Sequence, residues 1–188
     1  MKIQTIIIPI CLSLLFFACA GEADKPTEPV EKELNKDSLT NVINTLEEQV
    51  MSNGGVPDKT LFSKAINEFQ NYALLFPEDP ISPEYLLKAS DFSHSIQKHE
   101  KSVKILDRII AEYPDFDRIE SVKFVRASHI DFELRDTTRA KEAYTAFIAE
   151  YPNSELVGNA QSRIDNISLD AEALIEKFMK EQKNTSAQ

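Results

Sequence analysis

AKEAYTAFIAEYP, residues 140–152, places Ala140, Tyr144, Phe147 and Tyr151 at offsets of 0, 4, 7 and 11, with Pro152 directly after. Those offsets keep one face of a 3.6-period helix, and the proline can neither donate to the helical ladder nor fit inside it. The stretch therefore reads as one amphipathic helix with a fixed end. The same phrase occurs twice upstream, as Ala65-Phe69-Tyr72-Phe76-Pro77 and Ser102-Leu106-Ile109-Tyr113-Pro114. Successive copies start 37 and 38 residues apart, a period typical of stacked helical repeats.

Each phrase needs a partner helix ahead of it. Ser90 and Ser128 stand twelve residues before Ser102 and Ala140, in the matching strings Lys88-Ala89-Ser90 and Arg126-Ala127-Ser128. Tyr85, Ala89, Phe92 and Ile96 form the apolar stripe of one such helix. Ala127, Ile130 and Leu134 form the next, with Lys123 at the place where its stripe should start. Small residues let the helices approach, and large ones fill the neighbouring groove. The expected helices cover about 38–52, 58–76, 83–96, 99–113, 118–135, 138–151, 154–167 and 169–182. Expected N-caps are Asp58, Ser82, Asp117 and Thr137 or Thr138, with Ser or Asn at 153–154 opening the seventh helix. Ala171, Ile175 and Phe178 echo the phrase without its last aromatic, as an atypical terminal unit would.

A small residue, an aromatic four on, a large apolar residue three later and proline twelve on together resemble the second helix of a tetratricopeptide repeat. The resemblance covers residues 58 to about 167. It implies an all-α, tetratricopeptide-like α-solenoid of about three and a half helix pairs over 37–182, followed by a disordered tail at 183–188. Those repeats usually recur every 34 residues, and this chain lacks the Trp, Gly and Tyr of their first helix. The longer period is more similar to repeats of the BamD-type lipoproteins of outer-membrane β-barrel assembly and of the periplasmic Tol–Pal repeat protein. Such arrays bind other proteins, and the resemblance implies an adaptor.

The amino terminus reads as export information. Lys2 is followed by a largely apolar run from Ile3 to Phe17, too short to span a membrane and ending in Ala18-Cys19. Residues 1–18 are expected to be a signal peptide. Phe16-Phe17-Ala18-Cys19 resembles the lipobox of bacterial lipoproteins, with Phe16 at a position where Leu is usual; the resemblance implies lipidation of Cys19. Ala18-Cys19-Ala20 alternatively fits an ordinary signal peptidase, which would leave a soluble periplasmic, chaperone-like adaptor. Residues 19–36, polar and proline-containing after the cysteine, cannot bury enough apolar surface to fold and read as a tether. With Ala20 after the cysteine, the resemblance to lipoproteins implies localisation at the outer membrane through the lipid anchor, on either its periplasmic or its surface face.

The charge is acidic, a net −10 from 21 basic and 31 acidic residues. That balance repels phosphate backbones and anionic headgroups, so nucleic acid is not an expected partner. Protein partners in the envelope are, and no cofactor or small-molecule substrate is.

No stretch offers a catalytic group. Gly54-Gly55-Val56-Pro57-Asp58-Lys59-Thr60 has Asp58 where a phosphate loop needs glycine, and reads as a turn. His94, His99 and His129 are the only candidate bases or transition-metal ligands for a helical enzyme. His94 and His99 lie five apart across a turn, do not share a helical face, and are read as making surface or inter-helix hydrogen bonds. No metal site is expected. Asp115 and Asp117 read as helix-capping residues.

In such arrays the first helix of each pair lines the concave face. The resemblance then implies partner-binding positions Glu84, Leu87, Asp91 and His94 in one repeat, and Val122, Val125, His129 and Phe132 in the next. The second set is apolar; it either packs on the preceding repeat or forms a groove for a peptide or helix.

Overall fold

The computed structural model describes residues 35–52, 54, 56–167, 169 and 171–185. The signal peptide, Cys19, the tether up to residue 34 and residues 186–188 lie outside the described residues. Eight helices and no strand occur among those described: α1 (Lys36–Ser52), α2 (Lys59–Leu75), α3 (Ser82–Ser95), α4 (His99–Glu112), α5 (Ile119–Phe132), α6 (Thr137–Glu150), α7 (Val157–Asn166) and α8 (Ala171–Thr185). The chain is an all-α solenoid of helix pairs. From α1 to α7 each helix packs on the next, which makes three and a half pairs. None of these helices is long and apolar enough to cross a membrane.

The repeated phrase builds the interior. Ala65, Phe69, Tyr72, Ser102, Leu106, Ile109, Ala140, Tyr144 and Phe147 are each at most 1% exposed. One apolar cluster runs through α1 to α4 and includes Val122; a second joins Val103 of α4 to Ala127, Ile130, Tyr144, Phe147 and Ala160. Aromatic rings tie the elements together, with Phe69 5.4 Å from Tyr85 and Phe124 5.5 Å from Phe147 between ring centres. Lys123, at the interruption of the apolar stripe, keeps its stem in the repeat and extends its ammonium to Glu150 (2.5 Å) and over the Tyr151 ring.

The prolines end the helices as expected. Phe76, Tyr113 and Tyr151 leave the helix at φ −129°, −131° and −123°, each still donating its N–H to the carbonyl four residues back. A residue before proline is sterically pushed from the α region, so the break falls on these aromatics.

Starts and other exits depart from expectation in physical detail. Asp58 does cap α2, accepting from the N–H groups of Thr60 and Leu61 at 2.8 Å. Ser82 is instead the first residue of α3 and donates its hydroxyl to the Phe76 carbonyl (2.6 Å), while Asp79 accepts the Ile81 N–H (3.0 Å). Asp117 makes no cap bond to α5, and Asp136 rather than either threonine caps α6 by accepting from Arg139 N–H (3.0 Å). Ser154 accepts from Leu156 N–H (3.1 Å), a turn of its own that delays α7 to Val157. Gln97 and Arg135, 38 residues apart, have φ of +63° and +53°. At Gln97 the bonds Lys98 N–H to Ser93 and Gln97 N–H to His94, both 2.8 Å, close a Schellman turn. Arg135 ends α5 three residues earlier than its apolar pattern suggests.

The last helix differs most. It continues to Thr185, into the segment expected to be a disordered tail. Ile175 and Phe178, the echo of the core phrase, are 60% and 49% exposed rather than buried. Lys177 donates to Asn166 Oδ1 (2.8 Å), tying α8 to the end of α7.

Candidate functional site

The first helices of the second and third pairs, α3 and α5, carry the eight residues expected to meet a partner. Side chains at i, i+3, i+4 and i+7 share a helix face, so Glu84, Leu87, Asp91 and His94 form one row and Val122, Val125, His129 and Phe132 another. The structure separates the two rows into core and surface. Leu87 is 7% exposed and Val122 1%, both within the first apolar cluster, so neither points outward. Val125 is half-buried against the same cluster. Their physical role is to seal the joint between repeats, where an apolar side chain loses more water than on an open face.

The remaining positions stay accessible. Glu84 accepts from Arg118 at 3.0 Å, joining α3 to the start of α5. Asp91 is exposed by area, yet partial burial of its carboxyl raises its pKa, against the pull of Arg118 and His94. Phe132 is 53% exposed, with the Arg163 guanidinium of α7 4.4 Å from its ring centre. This pair presents an apolar and cationic surface at the end of α5.

At the centre of the face three imidazoles meet. The His94 and His129 rings stack at 4.4 Å between centres and 11° between planes. His99, the first residue of α4, lies edge-on to His94 at 5.2 Å. The tight α3–α4 turn folds His99 back beside His94, so the two meet without sharing a helical face. Glu133, at the end of α5, completes the group: its carboxylate oxygens lie 4.0 Å from His94 Nε2 and 3.6 Å from His99 Nε2. His94 Nδ1 and His99 Nδ1 are buried and make no hydrogen bond.

His129 differs from the other two. Its Nδ1 lies 3.1 Å from Ser102 Oγ, which is 2.8 Å from Ser90 Oγ, so a buried chain of hydroxyls fixes the ring. Burial pushes its pKa down to about 4, with His94 and His99 adding to the shift and Glu133 opposing it. Sequence reasoning singled out each histidine but missed Glu133 and the assembly. The one available signal was the 38-residue register, which places Glu133 opposite Ser95, next to His94 in the preceding repeat.

A hollow of about 750 Å³ lies between the α2–α3 and α4–α5 turns. Pro77, Pro83 and Pro114 supply its apolar walls, and Asp115 and Asp117 line it instead of capping a helix.

Residues 130–154 match the tetratricopeptide repeat family model. The match runs from the end of α5 through all of α6 and contains the phrase Ala140-Tyr144-Phe147-Tyr151-Pro152. The chain carries a tetratricopeptide repeat. No curated protein matches the chain. Helix pairs of this kind serve as protein-binding scaffolds, and the repeat points to no catalytic family.

Proposed function

We propose that the protein is a non-catalytic adaptor, tethered by lipid at Cys19 to the outer membrane, that binds protein partners in the cell envelope through the α3–α5 face. The tetratricopeptide repeat at 130–154 carries the adaptor reading. The accessible Asp91 and His94 of α3 and Phe132 of α5 supply surface for it. The anchor rests on the short apolar leader and Phe16-Phe17-Ala18-Cys19, followed by a polar stretch that has a use only if its end is fixed. Two or three acyl chains hold a protein at a membrane effectively permanently, since each buried CH₂ contributes about 0.8 kcal/mol. Tethering then raises the local concentration of the docking face.

Fatty-acid labelling in cells tests the anchor: label on the wild type and none on Cys19→Ala is the expected result. Equal labelling, or a mature protein that begins at Gly21 without acyl groups, would overturn it. Crosslinking in cells with affinity capture tests the face, and Phe132→Asp with Asp91→Lys is expected to lose the partners that the wild type retains. Capture dominated by barrel-assembly proteins would place the adaptor in that pathway.

A further inference from the structure

Two imidazole nitrogens and a carboxylate converge at the mouth of the α3–α4 turn. His94 Nε2 and His99 Nε2 face the two oxygens of Glu133 at 4.0 and 3.6 Å. One ligand atom from each of the three residues lies within 4.8 Å of the others. Among the described residues, Glu133 has no other ion-pair partner.

The chemistry of neutral rings makes this arrangement unfavourable as it stands. A neutral imidazole carries one N–H and one lone pair. If Nδ1 holds the proton, a lone pair faces an anionic oxygen; if Nε2 holds it, the Nδ1 lone pair is buried without a donor. A divalent cation between the three groups turns the opposed Nε2 lone pairs and carboxylate oxygens into ligands, with the proton of each ring on Nδ1, where no protein acceptor meets it.

The ring nitrogens are also uncommitted. His129 is held by Ser102, but neither His94 nor His99 has a protein hydrogen bond at Nδ1 that fixes its tautomer. Both can present Nε2 to a metal. Bound zinc sits about 2.0–2.2 Å from nitrogen and oxygen ligands, which puts tetrahedral ligands about 3.3 Å apart. The present separations reach that by small rotamer shifts of half-exposed side chains.

We propose that His94, His99 and Glu133 form a site for a divalent first-row transition metal, such as Zn²⁺, which clips the end of α5 to the α3–α4 turn. Two imidazoles and one carboxylate suit zinc, cobalt, nickel or copper, whereas magnesium and calcium prefer all-oxygen sets. His129 is a positioning residue that backs the His94 ring. The clip joins the second and third helix pairs and stiffens the face between them, whether or not that face binds a protein.

Titration of the full chain, purified without a polyhistidine tag, with Co²⁺ and then Zn²⁺ tests the site. The expected result is one saturable equivalent of Co²⁺ with visible d–d absorption, displaced by Zn²⁺, and a metal-dependent rise in melting temperature. His99→Gln and Glu133→Gln should each weaken binding at least tenfold, while Cys19→Ser leaves it unchanged. Glu133→Gln keeps the shape of an exposed residue, so it decides the matter if the histidine variant folds poorly. Absence of saturable binding, binding that survives Glu133→Gln, or binding lost with Cys19→Ser would overturn the proposal.

Discussion

Asp131 of α5, whose side chain is only 4% exposed, accepts the Nε–H of Arg163 in α7 at 2.7 Å. Its same oxygen lies 3.4 Å from the Tyr144 hydroxyl, which donates to it from α6. One carboxylate thus holds three helices of the matched repeat and its successor. A buried acceptor that loses nothing by folding must keep both donors.

Asp131→Ala is therefore expected to cost about 1–3 kcal/mol, because it leaves the Arg163 guanidinium without its carboxylate, while Arg163 retains part of its hydration and Tyr144 keeps Ser128 Oγ as an acceptor at 3.3 Å. Urea denaturation measures it. A double-mutant cycle with Arg163→Ala should show strong coupling; additive losses would mean that the ion pair does not hold α7.

The phrase and its C-terminal echo should respond oppositely to truncation. Phe69→Ala or Phe147→Ala removes a fully buried ring and should cost about 3–5 kcal/mol. Phe178→Ala and Ile175→Ala, on exposed positions, should stay within about 0.5 kcal/mol. Comparable losses at the two sets would show that α8 buries its apolar face.

Gln97 and Arg135 occupy left-handed backbone that costs a side-chain-bearing residue about 1–2 kcal/mol. Glycine removes that strain but loses more freedom on folding. Gln97→Gly and Arg135→Gly are each expected to raise stability by about 0.5–1 kcal/mol, read as a higher denaturation midpoint with unchanged slope.

Asp79 gives the fold an acid-sensitive joint. Lys36, above all, then the Ile81 N–H and the Tyr72 hydroxyl at 2.7 Å, lower its pKa from 3.8 to about 2. A depressed carboxylate stabilises the fold fully above its unfolded pKa and loses that contribution as pH falls through the folded one. The stability difference between wild type and Asp79→Asn should thus be constant above about pH 5 and shrink between about pH 4 and pH 2. A difference that does not change with pH across that window would show that the carboxylate charge is not what joins α1 to the α2–α3 turn.

The period-3.6 pattern located all eight described helices, with ends within three residues of the expected ones. It identified every buried position of the phrase, because a residue's place on a helix face depends only on its spacing along the chain. Caps were less legible. Asp136 and Thr137, or Asp79 and Ser82, offer similar side-chain acceptors, and the choice between them turns on the φ and ψ of the preceding turn. The partner face was half legible: Phe132 and Asp91 are exposed, whereas Leu87 and Val122 are covered by the adjoining pair. A single-helix pattern cannot say which of its flanks the next repeat will bury.

What the sequence by itself determined is the unit: an amphipathic helix, its aromatic exit before proline, its small-residue contact points and the 37- and 38-residue period. These follow from local sterics and from the removal of apolar surface from water, which act on residues close in the chain. Only the tertiary structure decided what meets across units. Lys36 reaches Asp79, Arg163 reaches Asp131, and His94 and His99 converge with Glu133 at the centre of the proposed docking face. Such meetings depend on how far each turn rotates one helix against the next, and a left-handed residue at Gln97 or Arg135 sets that rotation without any mark in the apolar pattern.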